Sequence, residues 1–301
     1  MTAFPLTGEP QDPPRTHAGG MSTDVAVVNG WDRAGRVAGY GAAAALTPYL
    51  VIKVSWVLGA VFGVLPTGQE LGLAEWVVIN TVTVGMAAVA IIVALALVRP
   101  WGERIPARLL VAGSWMGAGF LVPLLPYAVV GLVLGPDPGD AMPAWEAYLI
   151  QAGFVGMGLG LAVALPAYFR RRWPGPMTGR IGDRPLHGPF VDWSIAIAAG
   201  LAAIWTYTAL DSGMMLGLLF AAWALAAAVA VGCLVAGRPS RMPRAATMMV
   251  AWLGSGSLFA WSAWKLPLSS VVDTGAPVWT FVLGIFAGAV MLRTLVGGGQ
   301  R

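Results

Sequence analysis

Charge is what this chain has least of: Asp, Glu, Lys and Arg together make up 11% of its 301 residues. A soluble domain carries nearer about 25%, so this chain lacks the groups needed to cover a water-facing surface. A soluble enzyme, a secreted disulfide scaffold and a disordered chain are all excluded. Cysteine comes next: Cys233 stands alone inside an apolar run, which leaves no intrachain disulfide and no thiolate cluster. The two histidines, His17 and His187, both fall in polar segments, so no axial pair exists for a membrane-embedded haem and most zinc or copper sites lack ligands. No cofactor or metal is expected. Two lysines against sixteen arginines fit the coding bias of a high-GC bacterial genome. No His-Glu-x-x-His, Gly-x-Ser-x-Gly or Walker loop occurs. The glycines from Gly153 to Gly160 lie inside an apolar run with no strand before them, so they form no dinucleotide loop. No catalytic residue can be nominated, and the chain is not expected to be an enzyme.

Hydrophobic residues are present in force, at 57% of the chain, enough for roughly eight spans of about 20 residues. Apolar runs fall at 37–65, 76–98, 109–134, 147–169, 193–211, 214–236, 246–266 and 276–296. Each is long enough to cross a bilayer as a helix, which predicts an all-α, eight-helix polytopic bundle. All sixteen arginines fall before, between or after these runs on one side: before the first, between the second and third, fourth and fifth, and sixth and seventh, and at the end of the eighth. The opposite connections carry Glu70, Glu75, Asp137, Asp140, Glu146 and Asp273. By the positive-inside rule both termini are cytoplasmic and the location is the plasma (inner) membrane. This placement explains the net charge of +4 as a topology signal rather than a nucleic-acid footprint. Residues 1–30 are polar, rich in Pro and Gly and without an apolar signal-peptide core, and are expected to form a disordered cytoplasmic tail. Trp31, Trp101, Trp173 and Trp193 are expected at the inner boundary, and Trp76, Trp145, Trp261, Trp264 and Trp279 at the outer one, as interfacial anchors.

Two stretches of sequence resemble each other. Arg99-Pro100, Arg104-Ile105-Pro106 and Trp115-Met116-Gly117-Ala118-Gly119 are echoed by Arg238-Pro239, Arg241-Met242-Pro243 and Trp252-Leu253-Gly254-Ser255-Gly256, with the same proline-to-tryptophan spacing. Ala45, Tyr49, Lys53 and Gly59 match Ala203, Tyr207, Asp211 and Gly217 at one constant offset, and the fourth and eighth spans each hold a Gly-x-x-x-Gly, Gly156/Gly160 and Gly284/Gly288. These matches predict a parallel 4+4 repeat, 31–172 and 189–296, joined by a linker at 173–188 and followed by a short tail at 297–301. The glycines Gly117, Gly119, Gly156, Gly160, Gly254, Gly256, Gly284 and Gly288 are expected to pack helices together, because small residues let backbones approach in lipid. Unwound substrate-binding helices are the alternative role for the Trp-x-Gly-x-Gly pair.

Ionisable groups inside hydrocarbon are costly and mark where function is to be sought. Lys53 is the outstanding one, sharing a helix face with Tyr49 and Trp56, with Asp211, Glu75 and Glu146 as candidate partners. Asp211, Tyr207, Asn80, Gln151 and Lys265 also lie toward the outer ends of their spans, and with Lys53 and Tyr49 they predict a polar vestibule open to the outer face. Structural ion pairing or snorkelling is the competing account. A retinal lysine is excluded for Lys265, since the third span carries no carboxylate counter-ion. Arg170, Arg171 and Arg172 are expected to meet anionic lipid headgroups. The expected partners are therefore the bilayer and its anionic lipids, with a homo-oligomer or a membrane-protein partner also open and nucleic acid excluded. Two functions stay open: a small-solute permease, or a non-transporting membrane partner, sensor or immunity protein.

Overall fold

A computed structural model describes residues 21–64, 72–135, 142–172, 178–183, 185–272 and 274–297, with side chains from residue 30 onward. Eight α-helices make up these residues: α1 (Met21–Val61), α2 (Leu73–Ala96), α3 (Ala107–Leu134), α4 (Ala144–Arg172), α5 (Val191–Ser212), α6 (Met215–Ala236), α7 (Arg244–Leu268) and α8 (Val278–Gly297). Short 3₁₀ turns, Pro100–Arg104 and Ile181–Asp183, occupy two of the connections. The chain is a multi-pass helical membrane bundle. Helices are the form in which a chain can satisfy its own backbone groups inside lipid, and valines and leucines at 40–80% exposure, such as Val82, Val89 and Leu134, line the outside as a lipid-facing surface requires.

Seven of the eight helices are long and apolar enough to cross a membrane, and α7 is the exception. It carries Ser255, Ser257, Ser262 and Lys265, with Gly256, Trp261 and Trp264 between them, which lower its hydropathy. Its neighbours account for that composition. Packed between α3, α6 and α8, it buries more of its length than any other helix, Thr247 to Ser262 being largely enclosed. A helix shielded from lipid by protein has no need of an apolar surface all round.

Two further expectations are corrected. The helix α1 begins at Met21, so the last ten residues expected in the tail are helical; no proline interrupts the chain from there until Pro48, and nothing in the backbone delays the helix. Residues 1–20, 173–177, 184 and 298–301 of the expected tails and linker lie outside the described residues. Trp261, expected at the outer boundary, is a core residue. Its ring stacks on Phe120 at 4.1 Å between centroids, and its indole N–H donates to the Phe120 carbonyl at 3.0 Å.

The helices pack as two groups. In the first, α1 lies against α2 and α4, and α3 against α4; in the second, α5 lies against α6 and α8, and α7 against both α6 and α8. The groups join where α3 crosses α7. At one end the arginine-bearing connections meet. Arg171 pairs with Asp32 at 3.8 Å and donates to the Leu97 carbonyl at 3.3 Å, while the peptide N–H groups of Ile181 and Arg244 link the α4–α5 and α6–α7 connections.

Glycines set these contacts. At Gly119 an added Cβ would lie on the backbone of Gly256 and Ser257, and at Gly256 it would meet the Trp115 carbonyl and ring. The same crossing is tied by Trp115 Nε1 donating to Ser255 Oγ at 3.1 Å. Gly156 and Gly160 seat α4 on Ala45, Ala38 and Ala42 of α1, whereas Gly284 and Gly288 seat α8 on Ser262 and Ser255 of α7. Gly254 presses on Trp223 and Ala227 of α6. Gly117, expected to pack likewise, touches nothing within 4 Å of where its Cβ would be.

Candidate functional site

The polar residues of the spans form two separate clusters, one in each helix group, at the end of the bundle away from the arginine connections. The first is built on α1. Tyr49, Lys53 and Trp56 are spaced i, i+4 and i+7, and the Gly156/Gly160 seat draws that face between α2 and α4. Lys53 Nζ donates to Asn80 Oδ1 at 2.9 Å, and Asn80 Nδ2 donates in turn to the Trp76 carbonyl at 2.8 Å. That second bond fixes the amide with its oxygen toward the ammonium. The Trp56 ring covers Nζ at 4.1 Å, and Tyr49 lies further away at 5.9 Å. Trp56 Nε1 donates to Glu146 Oε2 at 3.0 Å. The indole thus offers its electron-rich face to the cation and its N–H to the carboxylate. This chain of contacts joins α2, α1 and α4 without a direct ion pair.

Lys53 and Asp211 are not brought together. Lys53 bonds to Asn80 of α2 and lies against rings of its own helix, while Asp211 is exposed at the end of α5. Tyr207 is likewise 73% exposed. Gln151 belongs to neither cluster: it packs on Gly131 of α3, with its Oε1 buried and unbonded among the described residues. A single vestibule containing all seven residues is therefore not what the helices build, because α1 and α5 belong to different groups.

The second cluster surrounds Lys265 on α7. Its Nζ donates to the Thr274 carbonyl at 3.1 Å, between the rings of Phe220 at 4.9 Å and Phe281 at 5.8 Å. Beside it is a cavity of about 20 Å³, bordered also by Trp205, Thr208, Trp261 and Ser262, room for about one water molecule. Ser262 is fully buried, and its Oγ has no hydrogen-bond partner among the described residues. An ammonium has three protons to donate, and among the described residues one is used here.

No family model matches the chain, and no curated protein or solved structure does either. Whatever the protein does must be read from its own residues.

Ser262 precedes Lys265 by one turn of α7 and shares its face, whereas nothing in the sequence links Phe220 of α6 or Phe281 of α8 with either. The low hydropathy of α7 was the available signal. The three consecutive arginines at the end of α4 are less free than expected. Arg170 lies over Trp31 at 5.5 Å, Arg171 is tied to Asp32, and Arg172 donates to the Glu103 carbonyl at 3.4 Å.

Trp56→Phe keeps a ring near Lys53 and removes the bond to Glu146. The expected cost is under about 1 kcal/mol, as for single interhelical hydrogen bonds in membranes. Thermal unfolding in detergent should show a drop of a few degrees at most, and a larger one would mean that the indole N–H carries more of the α1–α4 joint than one such bond.

Proposed function

We propose that this protein is a permease for a small anionic solute in the plasma membrane, with both termini cytoplasmic and two four-helix repeats, and that the solute engages Lys265. The observation that carries the reading is the cavity beside Lys265. An ammonium that gives one bond to the described residues and a buried serine hydroxyl with no partner among them border one space, and two donors converging on a small volume suit a halide or one oxygen of an acid. The aromatic faces of Phe220 and Phe281 steady the cation, and the anion lies on its opposite side. The repeat is supported by the matching neighbours of the two helix groups and by the meeting of the two Trp-x-Gly-x-Gly segments. The orientation is supported by the arginines. The reading involves binding and passage, with no catalytic step.

A non-transporting role, as a partner, sensor or immunity protein, is favoured by a different observation: at the α3–α7 crossing the two groups meet backbone to backbone. Flux separates the two. In liposomes holding the full chain, efflux of chloride, nitrate or formate is expected, falling at least about tenfold in Lys265→Met, the loss of one charged hydrogen bond. Lys53→Met is expected to retain most of it. Absence of flux for all three anions would select the non-transporting role, and equal flux in Lys265→Met would remove Lys265 from the path.

A further inference from the structure

Between α2 and α3 the bundle does not close. A cavity of about 410 Å³ opens there, walled by Gly85, Val89 and Val93 of α2 and by Gly113 and Gly117 of α3, with Met157 of α4 at its floor. Val89 and Met116, at its rim, are 54% and 42% exposed on the side of the bundle. The mouth therefore faces hydrocarbon. Ser114 is the one hydroxyl in the lining, and its Oγ already donates to the Leu110 carbonyl at 2.6 Å. A polar solute would find nothing to bond.

The glycines make this gap unusual. Gly254 occupies the same place in its Trp-x-Gly-x-Gly segment as Gly117 and is pressed onto α6, but Gly117 and Gly85 both face open space. Small residues in lipid normally serve close helix contact; here they widen a groove. From Val82 to Val93 the groove follows α2 for about 16 Å, close to half of the roughly 30 Å hydrocarbon core. It matches the depth of one leaflet. A foreign helix is about 10 Å across, so a single turn would fill the space, whereas an extended hydrocarbon chain fits along it.

Charge indicates which lipid. The groove ends beneath the α2–α3 connection, where Arg99 and Arg104, with Arg108 in the first turn of α3, stand against Glu103 alone. Arg104 and Arg108 are exposed and have no ion pair or hydrogen bond with any described residue, and Arg99 lies over the Tyr40 ring at 5.2 Å. We propose that the α2–α3 groove seats one acyl chain of an anionic phospholipid from the leaflet at the arginine-bearing end, with the phosphate held by Arg104 and Arg108. The site lies away from Lys265 and stands whether or not the protein transports anything.

The test is retention of lipid by the purified full chain, exchanged with equimolar phosphatidylglycerol and phosphatidylcholine and weighed by native mass spectrometry. One phosphatidylglycerol per chain is expected, favoured over phosphatidylcholine by about tenfold or more, as two surface cations supply. Gly117→Leu and Gly85→Leu fill the groove from opposite walls at positions with room for a side chain, and either is expected to lose the bound lipid while keeping the wild-type elution volume. Arg104→Gln with Arg108→Gln should retain a lipid but lose the preference for phosphatidylglycerol, and this arm leaves the helix packing untouched. Equal retention of both lipids by the wild type, full retention in the filled-groove variants, or a lipid-free dimer through this face would each overturn the proposal.

Discussion

Gly119→Leu and Gly256→Leu are each expected to leave little folded protein. At both positions the space that a side chain needs is held by backbone of the opposite helix, which cannot rotate away as a side chain can. Overpacking a yielding core costs about 1–3 kcal/mol, and a main-chain obstruction should exceed that range. Since a native fold is worth only about 5–15 kcal/mol, separating α3 from α7 also sacrifices the Trp115–Ser255 bond and the Phe120–Trp261 stack. The measurement is the monodisperse fraction on size exclusion after extraction, with the unfolding midpoint of whatever remains. Gly117→Ala, two residues along the same helix, provides the contrast: it has open space, and the helix gains up to about 1 kcal/mol from losing a glycine. Wild-type yield from Gly119→Leu would show that α3 and α7 do not meet as closely as described.

The second large effect concerns Asn80, which is buried with 6% of its surface exposed. Asn80→Leu removes the acceptor from the Lys53 ammonium and leaves a half-buried charge with ring faces and the Glu146 carboxylate beyond Trp56. Hydrogen bonds to charged groups are worth about 1.5–3 kcal/mol, and the loss falls on the partner left behind. Lys53→Met is expected to be much milder, since an apolar side chain suits the site and the orphaned amide keeps its bond to the Trp76 carbonyl. The double variant should therefore be more stable than Asn80→Leu alone. Unfolding midpoints of the four proteins make the cycle. Strict additivity would show that the 2.9 Å contact has no energetic weight.

Particular residues show how far the sequence could be read. The helices fall where the apolar runs lie, because crossing hydrocarbon imposes both length and composition, and both are written locally. Lys53 stands out for the same reason, but Glu146, one of its expected partners, bonds to Trp56 and not to the ammonium. Asp211 was the natural partner by symmetry of sequence, but pairing depends on which helices touch, and helix neighbours in lipid are chosen by small-residue packing that many glycines could satisfy equally well. Gly117 and Gly254 make the point. They are equivalent in the sequence, yet one is wedged against a helix and the other borders a groove. The cavity beside Lys265 is built by residues of four helices and has no linear signature.

The position of α7 has a consequence for how the protein is made. The helix at the centre of the bundle is the seventh of eight to leave the ribosome, and the least suited of them to enter lipid alone. Until residues 244–268 arrive, Trp115 and Gly119 on α3 have no partner and the first six helices surround an unfinished interior. Maturation should thus be a single late event, so chains truncated before Arg244 would be inserted yet remain targets for membrane proteases.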